Sequence, residues 1–276
     1  MLHCLHKYGL LVVKNVPCKN SPPASAAFDP VDQSRLVSER VAPLMETFYG
    51  LLWDVVSLPD AENVAYTNVR LDLHQDLLYF ESPPGIQLLH CQLNTVAGGE
   101  ALFSDSFAQA RHFRREYPDH YETLLRTPVA FHYRRLGRRR RFVRTTFEHD
   151  GLNEIERVNY SPPFMAPVEG LTFDEVQRFY EAFALWEQTV SDARWHHTRR
   201  YAKGDLIVFD NRRVLHARTA FESATGERHL RGSYLRLDDW RAAWRQHCGG
   251  TAAGGSDADD CPRSDWGWED PTAESE

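Results

Sequence analysis

Two histidines and one aspartate occupy positions where the hydrophobic pattern calls for core residues. His74 and Asp76 are one residue apart in the apolar run LDLHQDLLYF, and His216 lies between apolar residues in VLHAR. Residues i and i+2 of a strand point to the same face, so His74 and Asp76 are expected side by side. Two histidines and one carboxylate form the ligand set of non-haem Fe(II) oxygenases, with open positions for co-substrate and O2. The alternative is a structural His–Asp hydrogen bond.

One arginine extends this pattern. Arg228 follows His216 by twelve residues and lies in GERHLRGSY, which is typical of the next strand. Its planar guanidinium is suited to gripping the far carboxylate of an oxo-acid that binds a metal through two other oxygens. H-x-D followed by H and R is a far more specific pattern than H-x-D alone, but the chain has 13 histidines that could complete it by chance.

The composition indicates a globular protein with one large domain. Of the 276 residues, 42% are hydrophobic and 12% aromatic, which is ample for a packed core. No apolar run approaches the roughly 20 residues that a membrane span requires, so no membrane association is expected. Five cysteines without CxxC spacing favour a reducing compartment. We therefore expect a cytoplasmic protein, with a mitochondrial location left open.

The last 28 residues differ in composition from the rest. Residues 249–276 contain eight acids and one arginine, a net charge of −7, which equals the net charge of the whole chain. Such a Gly-, Ala-, Ser- and Asp-rich segment buries too little apolar surface to fold. We predict a folded domain over residues 1–248 and a disordered acidic tail over 249–276. Trp266 and Trp268 would make the tail a partner-binding segment in an alternative interpretation.

The pattern of elements favours a mainly β fold with flanking helices. Strands are expected over residues 8–13, over NVAYTNVRLDLHQDLLYF, over IQLLHCQLNTV, and in three runs between residues 204 and 237. Apolar residues at helical spacing predict a helix over 31–53, divided by Pro43. A helix capped by Asp105 or Ser106 should end before Pro118, and a capping box at Thr172 to Glu175 should open another. Without a βαβ rhythm, a β-sandwich or barrel is predicted.

The arginine cluster RRLGRRRRFVR, residues 134–144, raises the question of nucleic-acid binding. The cluster is local, and residues 1–248 as a whole, with the cluster included, have no net charge, so long-range attraction to phosphates is weak. We interpret it as a solvated hairpin and expect no nucleic-acid partner.

Three longer segments resemble a known family. They are NVAYTNVRLDLHQDLLYFESPPGIQLLHCQLNTVAGGEALFSDSF, GDLIVFDNRRVLHARTAF and ERHLRGSYLRLDDW. They are similar to the γ-butyrobetaine dioxygenase and trimethyllysine dioxygenase branch of the taurine-dioxygenase-like (TauD/TfdA) superfamily. The resemblance implies a double-stranded β-helix (jelly roll), Fe(II), 2-oxoglutarate as co-substrate, O2, and ascorbate as an accessory reductant. It also implies that His74, Asp76 and His216 bind iron and that Arg228 binds the distal carboxylate of 2-oxoglutarate.

The same resemblance implies an aromatic cage for a quaternary-ammonium substrate. The aromatic residues that match the positions of this cage are Tyr49, Trp53, Tyr66 and Tyr234. Asn63 matches a residue that contacts the substrate carboxylate in γ-butyrobetaine dioxygenases. A trimethylammonium group donates no hydrogen bonds and is best held by aromatic faces. If residues 48–53 are helical, Tyr49 and Trp53 share a face. The alternative is that these aromatics are core residues.

The chain also departs from the resemblance at two places. The zinc-binding N-terminal domain usual in eukaryotic γ-butyrobetaine dioxygenases is not expected here. Because that domain bears on dimerisation, the question of a homodimer stays open. Ala101 stands where relatives often carry a Ser or Thr that helps to hold 2-oxoglutarate.

The expected function is hydroxylation of γ-butyrobetaine to L-carnitine. The alternatives are a trimethyllysine dioxygenase, a hydroxylase of another betaine or secondary metabolite, and a catalytically idle β-sandwich interaction module.

Overall fold

The computed structural model describes residues 1–18, 32–56, 68–135 and 137–248. The helices in these ranges are α1 (Leu2–Tyr8), α2 (Gln33–Glu39), α3 (Ser106–Glu116), α4 (Pro118–Arg126), α5 (Phe173–Ser191) and α6 (Leu237–Cys248). The strands are β1 (Leu10–Val13), β2 (Trp53–Val56), β3 (Leu71–His74), β4 (Ile86–Asn94), β5 (Ala97–Gly98), β6 (Ala101–Asp105), β7 (Pro128–Arg135), β8 (Arg138–Thr145), β9 (Phe147–His149), β10 (Ile155–Val158), β11 (His197–Arg199), β12 (Leu206–Asp210), β13 (Val214–Arg218), β14 (Phe221–Glu222) and β15 (Arg228–Leu235).

Two antiparallel sheets form the body of the domain. The larger sheet has the strand order β1-β12-β4-β15-β2, and the smaller has the order β11-β6-β13-β3. Three further pairs, β7 with β8, β9 with β10 and β5 with β14, lie beside them. The structure therefore confirms the predicted mainly β fold with flanking helices.

Strand β12 explains why the larger sheet is buried on both faces. Leu206 and Val208 belong to an apolar cluster that includes Leu5 of α1 and Trp240 of α6. The alternate residue Phe209 points the other way and meets Phe103 of the smaller sheet, with ring centroids 5.4 Å apart. Because side chains alternate along a strand, a continuous apolar run fills both layers. One layer is the interior between the two sheets, where the candidate site also lies.

Helices α3 and α5 begin where the sequence predicts. The Asp105 carboxylate accepts a hydrogen bond from the Phe107 amide, and α3 ends before Pro118. Thr172 and Glu175 form the expected capping box of α5, whose Phe179 and Val190 are buried. Pro118 ends one helix but also begins α4, because its missing N–H is not needed in a first turn.

The predicted helix over 31–53 is wrong. The structure places only Gln33–Glu39 of this segment in a helix within the described residues. The following chain is held by β15 instead: the Met45 amide donates to the Tyr234 carbonyl at 2.7 Å, and Leu44 forms a bridge with Leu235. Pairing with a distant strand thus overrides the helical spacing of the apolar residues. Trp53 begins strand β2, so it does not share a helical face with Tyr49.

The strand predicted through LDLHQDLLYF is shorter than expected. It ends at His74, and the chain then turns, with Leu77 in the left-handed region at φ 59°. Helices α1 and α6 were not predicted. By contrast, the arginine-rich segment forms the expected hairpin, in which β7 and β8 pair from Pro128 with Thr145 to Arg135 with Arg138.

Some predictions concern residues that the structure does not describe. Asn63, Tyr66 and the acidic tail over 249–276 lie outside the described ranges. Among the described residues, no helix combines the length and the apolar character needed to cross a bilayer.

Candidate active site

The structure brings His74, Asp76 and His216 together. His74 pairs with His216 across β3 and β13, and their ring centroids are 4.3 Å apart. The Nε2 atoms of His74 and His216 lie 3.4 Å and 3.9 Å from Oδ1 of Asp76. Two ligands about 2 Å from one ion are separated by roughly 3 to 4 Å, depending on the bond angle. The three side chains are therefore spaced to share one metal ion.

Hydrogen bonding and burial leave both imidazoles able to donate a lone pair. The ring Nδ1 of His74 lies 2.7 Å from the Asp72 carbonyl, so a proton on Nδ1 leaves Nε2 facing Asp76. Burial, with His74 beside it, lowers the pKa of His216 to about 3. A neutral imidazole is the form that binds a metal.

Asp76 lies in the turn after β3, and Asn211 holds its backbone. The Asp76 amide donates to Oδ1 of Asn211 at 2.9 Å, while Nδ2 of Asn211 donates to the Asp76 and Pro84 carbonyls at 3.1 Å each. Asn211 is fully buried. The side chains of His74 and Asp76 thus project together as predicted. The hydrogen bonds from Asn211, a clamp on the Asp76 backbone, take the place of the continuous strand that was expected. Sequence analysis missed Asn211, which lies five residues before His216.

The Asp76 carboxylate is also fixed by its other oxygen. Tyr234 on β15 donates its hydroxyl to Oδ2 of Asp76 at 2.5 Å. Burial alone would raise the pKa of Asp76, but the adjacent His74 and His216 and the Tyr234 hydroxyl hold that pKa well below its usual range. The carboxylate therefore stays ionised, with Oδ1 directed at the two imidazoles.

Aromatic side chains form the wall of a cavity that opens onto this cluster. The cavity holds about 750 Å³, counting the space at its mouth, and is lined by His74 and Asp76 together with Tyr49, Trp53, Tyr79, Tyr133, Phe164 and Tyr234. Three of the four predicted cage positions thus share one cavity, since Trp53 lies 6.2 Å from Tyr49 and 4.2 Å from Tyr234 between ring centroids.

The position of Trp53 depends on a glycine that sequence analysis did not identify. Gly232 pairs with Trp53 across β15 and β2, and a Cβ on Gly232 would come within 2.4 Å of the indole ring. Only glycine leaves room for this ring against the strand. Tyr79, Tyr133 and Phe164 were missed as well, because aromatic residues in apolar runs carry no signal that separates wall from core.

Arg228 is buried at the start of β15 and does not line the aromatic cavity. Its Nε has no hydrogen-bond partner, and no carboxylate within the described ranges forms an ion pair with it. Burial lowers the pKa of this guanidinium. A buried cation of this kind requires an anion, since an unpaired buried charge is costly. Arg228 therefore fits the carboxylate of a bound oxo-acid, and the His–Asp–His cluster fits a divalent metal.

Several solved structures share this fold. Asparagine oxygenase crystallised with Fe(II), 2S,3S-3-hydroxyasparagine and succinate superposes with a TM-score of 0.62 at 17% identity, covering 86% of this chain and 78% of that one. A putative α-ketoglutarate-dependent taurine dioxygenase from Burkholderia xenovorans gives 0.61 at 16% identity, covering 85% and 80%. These likenesses confirm the double-stranded β-helix expected from the sequence.

Sequence identity is higher to several curated proteins than to these solved structures. Dioxygenase str8 of Strobilurus tenacellus is 36% identical, covering 84% of this chain and 55% of its own length. The γ-butyrobetaine dioxygenase of Pseudomonas sp. (strain AK-1) is also 36% identical, covering 74% and 53%. The trimethyllysine dioxygenase of Gallus gallus is 31% identical, covering 84% and 53%. The chain spans about half the length of the curated relatives it matches.

The family model described as "Taurine catabolism dioxygenase TauD, TfdA family" matches residues 1–234. That range contains the three clustered side chains, Arg228 and the described aromatic wall. The chain belongs to the TauD/TfdA dioxygenase family.

Proposed function

We propose that this protein is an Fe(II)- and 2-oxoglutarate-dependent dioxygenase that hydroxylates a small trimethylammonium compound, with γ-butyrobetaine as the first candidate. The observation that carries the proposal is that two members of the His74, Asp76 and His216 cluster, His74 and Asp76, line an aromatic-walled cavity. The names of the related γ-butyrobetaine dioxygenases support the choice of substrate.

Each residue has a defined task in this proposal. His74, Asp76 and His216 hold the iron, and Arg228 holds the distal carboxylate of 2-oxoglutarate. With O2 as the oxidant, bound iron and 2-oxoglutarate would supply the oxidative chemistry: one oxygen atom of O2 enters the substrate C–H bond, and the other enters succinate as 2-oxoglutarate loses CO2. The faces of Tyr49, Trp53 and Tyr234 hold the trimethylammonium group and orient the substrate; each well-placed ring contributes about 0.5–2 kcal/mol.

Burial of the site supports this division of tasks. The side chains of His74 and His216 are only 5% and 12% exposed. The Tyr234 hydroxyl is engaged by Asp76, and its ring packs against Trp53 with centroids 4.2 Å apart, so both contacts fix the position of the ring beside the cavity. A site closed to water protects reactive species and strengthens electrostatic contacts.

A trimethyllysine dioxygenase is the second candidate, favoured by relatives of that name at 29–31% identity. It uses the same chemistry on a substrate that carries an additional α-ammonium group. An idle interaction module is the candidate from a different class. The buried His–Asp–His cluster and the unpaired Arg228 argue against it, because an idle module does not need them.

Succinate formation tests the proposal directly. The protein is reconstituted with Fe(II) under anaerobic conditions, and O2 and 2-oxoglutarate are added with γ-butyrobetaine, trimethyllysine or no substrate. We expect γ-butyrobetaine to stimulate succinate release the most. Stimulation by trimethyllysine instead would keep the reaction and change the substrate. Absence of succinate, together with no binding of Mn(II) in the presence of 2-oxoglutarate, would favour the idle module.

A further inference from the structure

Arg135 is the only basic side chain with a permanent charge among the described residues that line the aromatic cavity. It lies at the end of β7, where Phe131, Tyr133 and Arg135 alternate onto one face of the hairpin. Phe131 and Tyr133 are buried in the core beside the site, so this alternation directs Arg135 to the same side. Arg135 itself is exposed and therefore lies at the rim of the cavity.

The hairpin is attached to the aromatic wall by other arginines. Arg138 donates to the Phe48 carbonyl at 3.0 Å, and its guanidinium lies 5.2 Å from the Phe48 ring centroid. Arg140 lies 4.5 Å from the Phe80 ring centroid. Phe48 directly precedes Tyr49 of the wall. These contacts fix a positively charged rim beside the trimethylammonium subsite.

None of the described lining residues supplies an acid that is free to neutralise this rim. Asp76 is the one carboxylate among its described lining residues, and it is already bonded to Tyr234 and lies against the two histidines. Within the described ranges, Arg135 forms no ion pair, whereas the outward-facing Arg141 pairs with Glu169. A cavity with an aromatic wall and a cationic rim is complementary to a molecule with a positive end and a negative end.

We infer that Arg135 binds the anionic group of the substrate, so that the site selects zwitterions whose carboxylate lies at the rim while the trimethylammonium group lies on the aromatic wall. The inference rests on the proposed function and narrows its substrate class. A guanidinium binds a carboxylate through two parallel hydrogen bonds. A second cation next to that carboxylate, such as the α-ammonium of trimethyllysine, would face Arg135 and be disfavoured.

A pair of ligands isolates this contact. γ-Butyrobetaine and n-butyltrimethylammonium share the cationic head and chain length, but only the former has a carboxylate. Their binding to the full chain loaded with Mn(II) and 2-oxoglutarate is measured by calorimetry without O2. For Arg135→Gln we expect the Kd of γ-butyrobetaine to rise roughly ten- to a hundredfold, the usual range for a lost hydrogen bond to a charged group. The Kd of n-butyltrimethylammonium should stay the same or fall.

Arg134→Gln is the matched control. Arg134 is the adjacent arginine of β7, is also exposed and points to the opposite face of the hairpin, so its loss should leave both dissociation constants unchanged. Arg135→Lys keeps the charge and should retain part of the preference for γ-butyrobetaine. Added salt screens the attraction between guanidinium and carboxylate. It should therefore reduce the ratio of the two dissociation constants in the wild type and change that ratio little in Arg135→Gln.

The outcomes separate this inference from the proposed function. Equal affinity of the wild type for both ligands, or an equal effect of Arg134→Gln and Arg135→Gln, would overturn the role of Arg135 and leave the trimethylammonium substrate standing. Failure of the wild type to bind either ligand would overturn the proposed substrate class and this inference with it. Succinate release with 2-oxoglutarate alone would still report on the oxygenase chemistry.

Discussion

The two ends of the cavity are built in different ways. At the closed end, His74 and His216 lie on the paired strands β3 and β13. Asp76 lies in the turn after β3, and buried Asn211 holds this turn. At the open end, the wall is assembled from the chain around Tyr49, from β2 and β15, and from an arginine-rich hairpin. Hydrogen bonds to the ligand side chains and their backbone hold the closed end, whereas the rings at the open end are positioned by packing on one another, on a strand that pairs with β15.

This difference suits two tasks with different tolerances. Ligands of a metal must be placed within a few tenths of an ångström, and hydrogen bonds to buried groups supply that precision. A trimethylammonium group presents a nearly spherical apolar surface, so contact with aromatic faces tolerates small displacements. We therefore expect substitutions at the closed end to abolish function and those at the open end to change affinity and selectivity.

The largest effect is expected for the proposed ligands. His74→Ala should lower 2-oxoglutarate-dependent succinate formation by at least about a hundredfold, because loss of a direct ligand exceeds the effect typical of outer-shell partners. Asp76→Ala should do the same. Asp72→Asn is the control, since the Asp72 side chain is 71% exposed and only its backbone carbonyl contacts His74. Succinate release at the wild-type rate in the His74 or Asp76 variant would contradict the ligand assignment.

An intermediate effect is expected at Asn211. Asn211→Asp keeps the shape of the side chain but replaces the amide that donates to the Asp76 and Pro84 carbonyls with a negative oxygen. We expect Mn(II) affinity to fall roughly ten- to a hundredfold, as for other residues that orient a ligand. Titration with Mn(II), alongside thermal melting, measures this change.

Asn153→Asp gives the control for Asn211, because Asn153 lies in an exposed turn and does not line the cavity. A variant of Asn211 with reduced melting temperature but unchanged Mn(II) affinity would show that the clamp stabilises the fold without positioning Asp76. The closed end would then owe its geometry to strand pairing alone.

The smallest effect is expected at the aromatic wall. Trp53→Leu should raise the KM for γ-butyrobetaine roughly five- to thirtyfold, since about 1–2 kcal/mol of cation–π interaction is lost. Binding of the uncharged-head isostere 5,5-dimethylhexanoate should weaken much less. Tyr180→Leu on α5 serves as the control, because Tyr180 is 41% exposed and lies outside the cavity. Equal losses for both compounds would mean that Trp53 contributes packing rather than recognition of charge.

The sequence by itself determined the features that depend on local spacing. Alternation and apolar runs indicated the β-rich core, residues Thr172 and Glu175 marked the start of α5, and H-x-D with a later histidine indicated a metal centre. The first two signals are readable because each arises from neighbouring residues whose geometry is set by the strand or helix itself, whereas the third rests on residue types, since Asp76 follows the end of β3 and His216 lies on β13.

Only the tertiary structure decided how the cavity is closed. Asn211 meets Asp76 across 135 positions of sequence, and Tyr234 meets it across 158. The helix expected over 31–53 gave way to pairing with β15, which carried Trp53 to the wall on a strand. Such contacts leave no periodic trace in the chain, because they form between elements whose order in space is set by sheet topology. For the same reason, the sequence does not distinguish Arg135 from the other arginines of residues 134–144. Only the register of the β7–β8 hairpin places Arg135 at the cavity rim.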